Sequence, residues 1–501
     1  MRALYAVAAA AAATLLCACT LQPAYHRPAS GVGTVWPTGP AYVQQGAPGA
    51  QVPAGDIGWQ QFFSDPQLHE LIGIALQNNR DLRVAALNIE ASQAQYRVQR
   101  SALFPSISAS GSETAEHLPP GVGFGAAPGG APKGVTFRTY SAGLGFASYV
   151  LDLFGRVRSL SHAALEQYFA QIETRKSVQI SLVAEVADDY LNYLSDRSLL
   201  ALAQQTYTNQ KASLDLTQQS FSAGVNTALD LAQAQQTVYT AQANIAQFTR
   251  QIAQDLNALQ LALGAPLPAD LDNTPGLNGE HFLEALPAGL PSDLLTRRPD
   301  IAAAEDKLKA SNADIGAARA AFFPSISLTG SFGTASSQLS GLFAHGSQEW
   351  TFEPSISLPI FAGGANVANL DLTRVEKNVA IAQYQKAIQT AFEDVANALA
   401  ARGTFDQQIV AEERLVDAAN TAYQLSLQLF RQGVTNFLSV LDSQVTSYQA
   451  QQTLIAIRLA RLQNLVALYT ALGGGWSAQT VQPAATAGPT PTAKVAQQAG
   501  G

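Results

Sequence analysis

The side chains that most often carry chemistry are few in this chain, and their spacing suits no catalytic or metal site. Both cysteines of the 501-residue chain, Cys17 and Cys19, precede Thr20, so the remainder offers no thiol nucleophile, disulfide or cysteine metal ligand. The 6 histidines are scattered without a His-x-x-x-His pair, and no Gly-x-Ser-x-Gly motif is present. This inventory predicts a protein that is not an enzyme and that has no cofactor beyond a covalent lipid on Cys19.

Two other patterns imitate functional motifs without the context those motifs need. Asp188 and Asp189 are adjacent inside a predicted helix, where neighbouring side chains point apart, so we interpret them as part of a solvated face and not as a general acid–base pair. The glycine-rich stretch within 119–134 resembles a phosphate loop, but two prolines precede it and no helix start follows. We interpret this stretch as a surface loop.

The N-terminus has the features of an export signal. Met1-Arg2 supplies the positive charge, and Ala3–Leu16 is an apolar stretch too short for a permanent membrane-spanning helix. The following Leu16-Cys17-Ala18-Cys19 resembles a bacterial lipobox, which implies a signal peptide over 1–18, cleavage before Cys19 and lipidation of Cys19. The alternative is an ordinary secretory signal with two incidental cysteines.

Charge and hydropathy limit the classes of protein to which this chain could belong. The formal net charge is −8 and there is no run of lysines or arginines, which excludes the usual electrostatic footprint of a nucleic-acid binder. No apolar run after the signal has the length that a membrane-spanning helix needs. An exported chain without disulfides must be stabilised by packing or by oligomerisation.

The body of the chain contains an internal duplication. The landmarks of the first copy recur in the same order in the second: residues 100–108 match 319–327, 79–82 match 298–301, and 221–225 match 430–434. Residues 319 and 430 of the second copy are closer together in sequence than the matching residues 100 and 221 of the first. This difference indicates an insertion in the first copy, for which 119–134 is the candidate. We predict a lipidated extended segment over 19–62, a first repeat over 63–265, a linker over 266–290, a second repeat over 291–476 and a disordered tail over 477–501.

Each copy is predicted to run helix, strand, strand, helix, turn, helix, with β-hairpins over 103–153 and 322–361. Apolar residues such as Leu144, Phe332 and Trp350 alternate with small polar ones, as in a strand between lipid and a wet lumen. A half-buried hairpin of a soluble protein has the same pattern. We favour the membrane because four strands cannot close a barrel, so the strands must be shared among subunits.

Long helices follow each hairpin, because residues 133–265 and 360–482 contain no proline. The block Ala365–Phe430 is predicted to break or adjust at Gly403. The last helix has a heptad whose first members are Leu438, Leu441 and Val445, continuing with spacings of three and four to Tyr469. Gly224 and Gly433 are predicted to form the turns of two helical hairpins.

Three spaced motifs resemble the TolC-type outer-membrane efflux channels, in particular their lipoprotein, NodT-like branch. They are Trp59-Gln-Gln-Phe-Phe-Ser-Asp-Pro66 with the following leucines, Leu295-Thr-Arg-Arg-Pro-Asp-Ile301 and Leu472-Gly-Gly-Gly-Trp476. The resemblance implies a mostly α-helical homotrimer in the outer membrane, with a twelve-stranded β-barrel, to which each subunit gives four strands, and a long periplasmic α-helical barrel. Its implied partners are outer-membrane lipid, a periplasmic adaptor protein and an inner-membrane pump of the RND type.

The same resemblance implies a gate at the second-copy turn. It assigns an apolar constriction to Val434 and Leu438 and an acidic ring to Asp442, and it assigns adaptor contacts to the two turns, at Gly224, Val225, Gly433, Val434 and Thr435. The alternative for the gate is that Leu438 is only a seam residue and Asp442 only a solvated carboxylate. The predicted function is an efflux exit duct for small molecules; the alternatives are the exit channel of a type I protein-secretion system and a trimeric coiled-coil adhesin or scaffold.

Overall fold

The structure, a computed structural model, describes residues 20–42, 53–119, 134–269, 271, 276–277, 282–283, 286–287 and 291–480. The predicted signal peptide, Cys19, nearly all of the 119–134 loop and the tail from 481 onward lie outside the described residues. The helices are α1 (Trp59–Phe62), α2 (Pro66–Asn78), α3 (Arg80–Ser101), α4 (Arg156–Ser222), α5 (Ala228–Leu263), α6 (Leu294–Arg297), α7 (Pro299–Ala320), α8 (Ala365–Arg431) and α9 (Phe437–Ala471). The strands are β1 (Ile107–Leu118), β2 (Val135–Leu151), β3 (Ser325–Ser336) and β4 (Gln348–Ser357).

The duplicated plan predicted from the sequence is confirmed. The first copy runs α3, β1, β2, α4, turn, α5, and the second runs α7, β3, β4, α8, turn, α9. Helices α3 and α7 have 22 residues each, and α4 and α8 have 67 residues each. These helices therefore match between the copies in length as well as in order.

The predicted break at Gly403 is wrong. Helix α8 is continuous from Ala365 to Arg431. The hydroxyl of Thr404 donates to the carbonyl oxygens of Ala400 and Ala401, at 3.1 Å each, as in an unbroken helix. A single glycine costs a helix only about 1 kcal/mol, which the packing of a helix this long easily offsets.

All four strands form one antiparallel sheet in the order β1-β2-β3-β4, so the two hairpins meet at the β2–β3 pair. Leu144 pairs with Phe332, and Phe332 pairs with Trp350. These three side chains form an apolar row with exposed fractions of 58%, 63% and 73%, so none of the described residues covers them. On the alternating positions, Ser331 bonds Thr351 and Ser327 bonds Ser355, each at 2.7 Å between side-chain oxygens.

The chain divides into two compact units, and each of them draws on both copies. The sheet unit comprises the described residues of Met1–Pro28, Ile89–Gln171 and Ala304–Tyr384. The helical unit comprises those of Ala29–Asn88, Ile172–Ala303 and Gln385–Gly501. Among the described residues, no helix is both long and apolar enough to cross a membrane.

The core of the helical unit brings together the three motifs singled out in the sequence. Phe62 stacks on Tyr469 with 3.9 Å between ring centroids, and the Tyr469 hydroxyl donates to the Ile57 carbonyl at 2.6 Å. The N–H of Trp59 donates to the Ser477 carbonyl at 3.0 Å, which ties the first motif to the residue after the third. Arg298 of the middle motif donates to the Ala471 carbonyl at the end of α9, at 3.2 Å.

The first half of α9 does not pack as the predicted heptad requires. Within this chain its buried face is Phe437, Val440, Gln444 and Ser447, whereas Leu438 is 54% exposed and Val445 is 39% exposed. From Leu462 to Tyr469 the heptad residues are buried as predicted. Leu438 and Val445 therefore lie on a face of α9 that the described residues leave uncovered.

Candidate functional site

The second-copy turn is fixed by its backbone. Gly433 has a φ of +72°, which is favourable only for glycine. Its N–H donates to the Phe430 carbonyl at 2.9 Å, and the N–H of Val434 donates to the Leu429 carbonyl at 2.9 Å. This pair of bonds is the Schellman arrangement, which satisfies the last carbonyls of α8 and reverses the chain.

The first-copy turn repeats this geometry. Gly224 has a φ of +77° and donates to the Phe221 carbonyl at 3.0 Å, and Val225 donates to the Ser220 carbonyl at 2.9 Å. Both glycines have open space around them, since an added Cβ would meet nothing within 4 Å. The duplicated turn is therefore set by backbone conformation and not by packing.

Each turn leads into its second helix through a side-chain cap. Thr227 accepts from the Asp230 N–H at 3.2 Å while Asp230 accepts from the Thr227 N–H at 2.8 Å, which is a capping box. In the second copy, Asn436 accepts from the Ser439 N–H at 3.2 Å. Thr435 donates to the Ser439 hydroxyl at 3.2 Å, so this residue helps to close the turn.

Val434, Leu438 and Asp442 are exposed at the tip of the second hairpin. Val434 is 69% exposed and Leu438 is 54% exposed, and Asp442 is also in the exposed class. Leu438 and Asp442 are four residues apart in α9, so they lie one turn apart on the same face. Exposed leucine and valine beside a carboxylate suit a contact with another chain or with an aqueous passage.

The opposite face of the same tip is packed. Phe437 and Val440 of α9 are buried with Ala234 of α5, and Phe430 meets Phe437 with ring centroids 5.5 Å apart. The tip of the second hairpin therefore rests on the first hairpin through one face of α9. The other face, which carries Leu438, stays free for other contacts.

Polar bonds near the tip were not predicted from the sequence. Asn420 of α8 accepts from Ser447 at 2.5 Å and from Gln451 at 3.1 Å, both on α9. Asn244 of α5 donates to the Tyr448 hydroxyl at 3.1 Å. The Asn420 bonds join the two consecutive helices of one hairpin. Asn244 and Tyr448 are 204 positions apart, and a single sequence carries no signal for such a pairing.

The interpretation of Asp188 as a solvated carboxylate is wrong. Burial, reinforced by the charge of Asp189, raises the pKa of Asp188 to about 7. Within the described part of the chain, the buried Oδ1 atom of Asp188 has no hydrogen-bond partner. Asp188 borders the fully buried positions Ala187 and Tyr190 of α4, and the sequence pattern alone does not show how far that burial extends.

Both copies match a single family model. The description of the family is outer membrane efflux protein, and the matched residues are 71–265 and 290–474. A curated relative, the toluene efflux pump outer membrane protein TtgC of Pseudomonas putida, is 47% identical over 473 residues, which cover 94% of this chain and 96% of the relative. The outer membrane protein OprJ of Pseudomonas aeruginosa is 42% identical over 473 residues, which cover 94% of this chain and 96% of that protein.

Solved structures agree with the sequence relatives. The open state of the MtrE outer membrane channel of Neisseria gonorrhoeae has a TM-score of 0.81 and 40% sequence identity, and the match covers 93% of this chain and 100% of that one. The likeness extends through the sheet and the helical hairpins alike. This chain belongs to the outer membrane efflux protein family.

Proposed function

We propose that this chain forms the outer-membrane exit duct of a tripartite efflux system, which passes small molecules from an adaptor and an inner-membrane pump to the outside. The observation that carries the proposal is the family match along both copies, 71–265 and 290–474. The relative TtgC is named for toluene efflux, so small apolar compounds are the cargo we would test first. The pump sets most of the selectivity, because the duct accepts what it is given.

The working form is a homotrimer. Within the described part of the chain the outer strands of the sheet, β1 and β4, have no further strand beside them, and an open sheet edge is not tolerated in lipid. Three copies joined edge to edge close twelve strands. The uncovered row of Leu144, Phe332 and Trp350 then faces lipid, which explains its exposure in a single chain.

The gate lies at the tip of the second hairpin. Three copies of Val434 and Leu438 form a constriction that excludes water, and three Asp442 carboxylates form a ring that favours cations. The exposure of Leu438 supports this role, since a leucine that served only as a seam within the chain would be buried. The turns at Gly224, Val225, Gly433, Val434 and Thr435 contact the adaptor, and a lipid on Cys19 anchors the chain in the outer membrane.

Single-channel conductance in a planar bilayer tests the duct and its gate together. We expect a small current from the wild-type protein and a larger one from Leu438→Ser combined with Asp442→Ala. The matched control is Leu229→Ser, because Leu229 occupies the equivalent position after the first-copy turn and is 66% exposed. The control should conduct like the wild type.

The possible results separate the channel from its gate. A large current from the wild type that the double substitution does not change would keep the duct and remove the gate from the second turn. An equal rise in Leu229→Ser would place the constriction at both turns. No current from a folded oligomer would contradict the duct itself.

A further inference from the structure

The first described residues form an extended strap along one helix of the sheet unit. We call residues 20–28 the N-terminal strap. Its contacts with α7 run in reverse order: Arg27 meets Glu305, Pro23 meets Asn312 and Leu21 meets Arg319. The strap is therefore antiparallel to α7.

The lengths of the two partners agree. From Leu21 to Arg27, an extended chain covers about 20 Å at about 3.3 Å per residue. From Glu305 to Arg319, a helix covers about 21 Å at 1.5 Å per residue. The strap and the stretch of α7 that it contacts are thus of about the same total length.

Two side chains of α7 hold the strap by its backbone. The Asn312 amide donates to the Pro23 carbonyl at 2.8 Å, and Arg319 donates to the Leu21 carbonyl at 3.2 Å. Asn312 is fully buried, and its own oxygen accepts from Lys377 at 2.8 Å, which fixes the amide orientation. Both contacts hold the backbone, and neither depends on the strap's side chains.

Two glycines allow the strap to lie this close. A Cβ on Gly316 would come within 2.9 Å of the Gln22 backbone and 2.6 Å of the Ser159 hydroxyl. A Cβ on Gly155, just after β2, would come within 3.0 Å of the Thr20 Cα. The floor of the groove thus has no side chain where the strap passes, as a site built for a close backbone requires.

At the other end of the groove, Glu305 binds side chains of the strap. Glu305 is 6% exposed, and its carboxylate accepts from the Tyr25 hydroxyl at 3.1 Å and from Arg27 through Nε at 3.0 Å and Nη2 at 2.7 Å. The two-pronged arginine contact is the strongest form of this pairing. Without the strap, a buried carboxylate would lose three donors.

We propose that the α7 groove, lined by Gly155, Glu305, Asn312, Gly316 and Arg319, is a peptide-binding site specific for an extended segment with tyrosine and arginine two residues apart. The N-terminal strap is its resident ligand, and Glu305 determines the specificity. The groove holds the strap by recognition and not merely because the two are in one chain. The same segment supplied as a separate peptide binds whenever the resident strap is displaced.

The experiment uses the full-length protein and a fluorescent peptide of residues 20–28. Arg27→Glu places a second negative charge against Glu305 and should release the strap, which hydrogen–deuterium exchange measures as faster exchange over residues 21–28. The labelled wild-type peptide should then bind Arg27→Glu at least tenfold more tightly than it binds the wild-type protein. Arg27→Gln is a milder variant for the case in which the charge reversal impairs folding, with the same direction expected.

Two controls isolate the Glu305 contact. Arg27→Glu with Glu305→Arg restores opposite charges, so strap protection should return and the wild-type peptide should not bind. Arg374→Glu changes an exposed ion pair with Asp371 on α8 and should leave strap exchange unchanged. The proposal is overturned if the strap stays protected in both Arg27 variants, if the peptide binds wild type and variants equally, or if the reversed pair fails to restore protection.

Discussion

Arg298 joins three elements of the helical unit through one nearly buried guanidinium. Its side chain is 12% exposed and donates to both oxygens of Asp300, at 3.0 and 2.7 Å, and to Asp394 at 3.0 Å. It also holds the last carbonyl of α9, that of Ala471. One residue thus connects the start of α7 with α8 and with the end of α9.

We predict that Arg298→Ala lowers the free energy of unfolding by about 2 kcal/mol, because charged hydrogen bonds are lost and two carboxylates lose their partner. Arg298→Lys should recover only part of this, because lysine lacks the planar fork. Thermal unfolding of the purified protein measures both. Arg374→Ala is the control, since its ion pair is exposed and contributes roughly 0–1 kcal/mol; equal losses in the two alanine variants would contradict the prediction.

Asp188 makes stability depend on pH. Its pKa is raised to about 7 in the folded protein, from an unfolded value near 3.8, so the folded state retains a proton that the unfolded state has lost. The contribution of Asp188 is therefore neutral below pH 4, becomes unfavourable as pH rises from 4 to 7, and is constant above that.

We predict that Asp188→Asn, which resembles the protonated acid, raises the thermal midpoint at pH 8 and changes it little at pH 4. Asp215→Asn, on the exposed side of the same helix, is the control and should have no such pH-dependent effect. Melting curves of the three proteins between pH 4 and 8 provide the measurement. An equal stabilisation by Asp188→Asn at pH 4 and at pH 8 would refute the raised pKa of Asp188.

Sequence patterns predicted these residues unevenly. The tip residues could be found because the duplicated landmarks mark both turns. The bond from Asn244 to Tyr448 could not, because it joins helices 204 positions apart. The burial of Asp188 could not, because adjacent carboxylates in a helix are typical of an exposed face. Burial of Gln444 and Ser447 was missed because both side chains are polar, and the hydroxyl of Ser447 is satisfied by donating to Asn420 of α8.

At the scale of elements, the two helical hairpins depend on a left-handed glycine at each turn. Gly433 and Gly73 both have open space around them, but only Gly433 has a positive φ. Gly73 lies inside α2, where any residue fits the backbone. Substitution of these two glycines therefore tests the effect of backbone strain without steric crowding at either position.

We predict that Gly433→Ala destabilises the protein by about 1–2 kcal/mol, the cost of a left-handed alanine. Gly73→Ala should instead stabilise it by about 0.5–1 kcal/mol, because alanine is the better helix former. Chemical or thermal unfolding of the two variants side by side is sufficient. Destabilisation by both, to the same extent, would show that φ is not the determinant.

Element order and type were largely predictable, because proline-free blocks and alternating strands persist over many residues. The continuity of α8 through Gly403 and the partial burial of the α9 heptad were not predictable. A local pattern cannot show that packing overrides one glycine. Nor can it separate apolar residues that pack within the chain, such as Phe437, from those that remain uncovered, such as Leu438.

At the scale of the whole molecule, the exposed row on the sheet and its two outer strands, β1 and β4, are the features that support the proposed trimer. We predict that native mass spectrometry of the detergent-purified protein gives three times the mass of the mature chain. Substituting aspartate for Phe332, in the centre of the row, should abolish recovery of that species from outer membranes, because a charge facing lipid is costly. Recovery of a stable monomer from the wild type would contradict the trimer.

The interleaving of the two units also determines when the molecule can fold during export. The bond from Tyr469 to Ile57 spans 412 positions, so the aromatic core that begins with Phe62 stays open until nearly the whole chain has been translocated. Contacts this distant in sequence close late, and apolar segments remain exposed to aggregation meanwhile. A chain that stops before α9 lacks Tyr469 and therefore cannot complete this aromatic core.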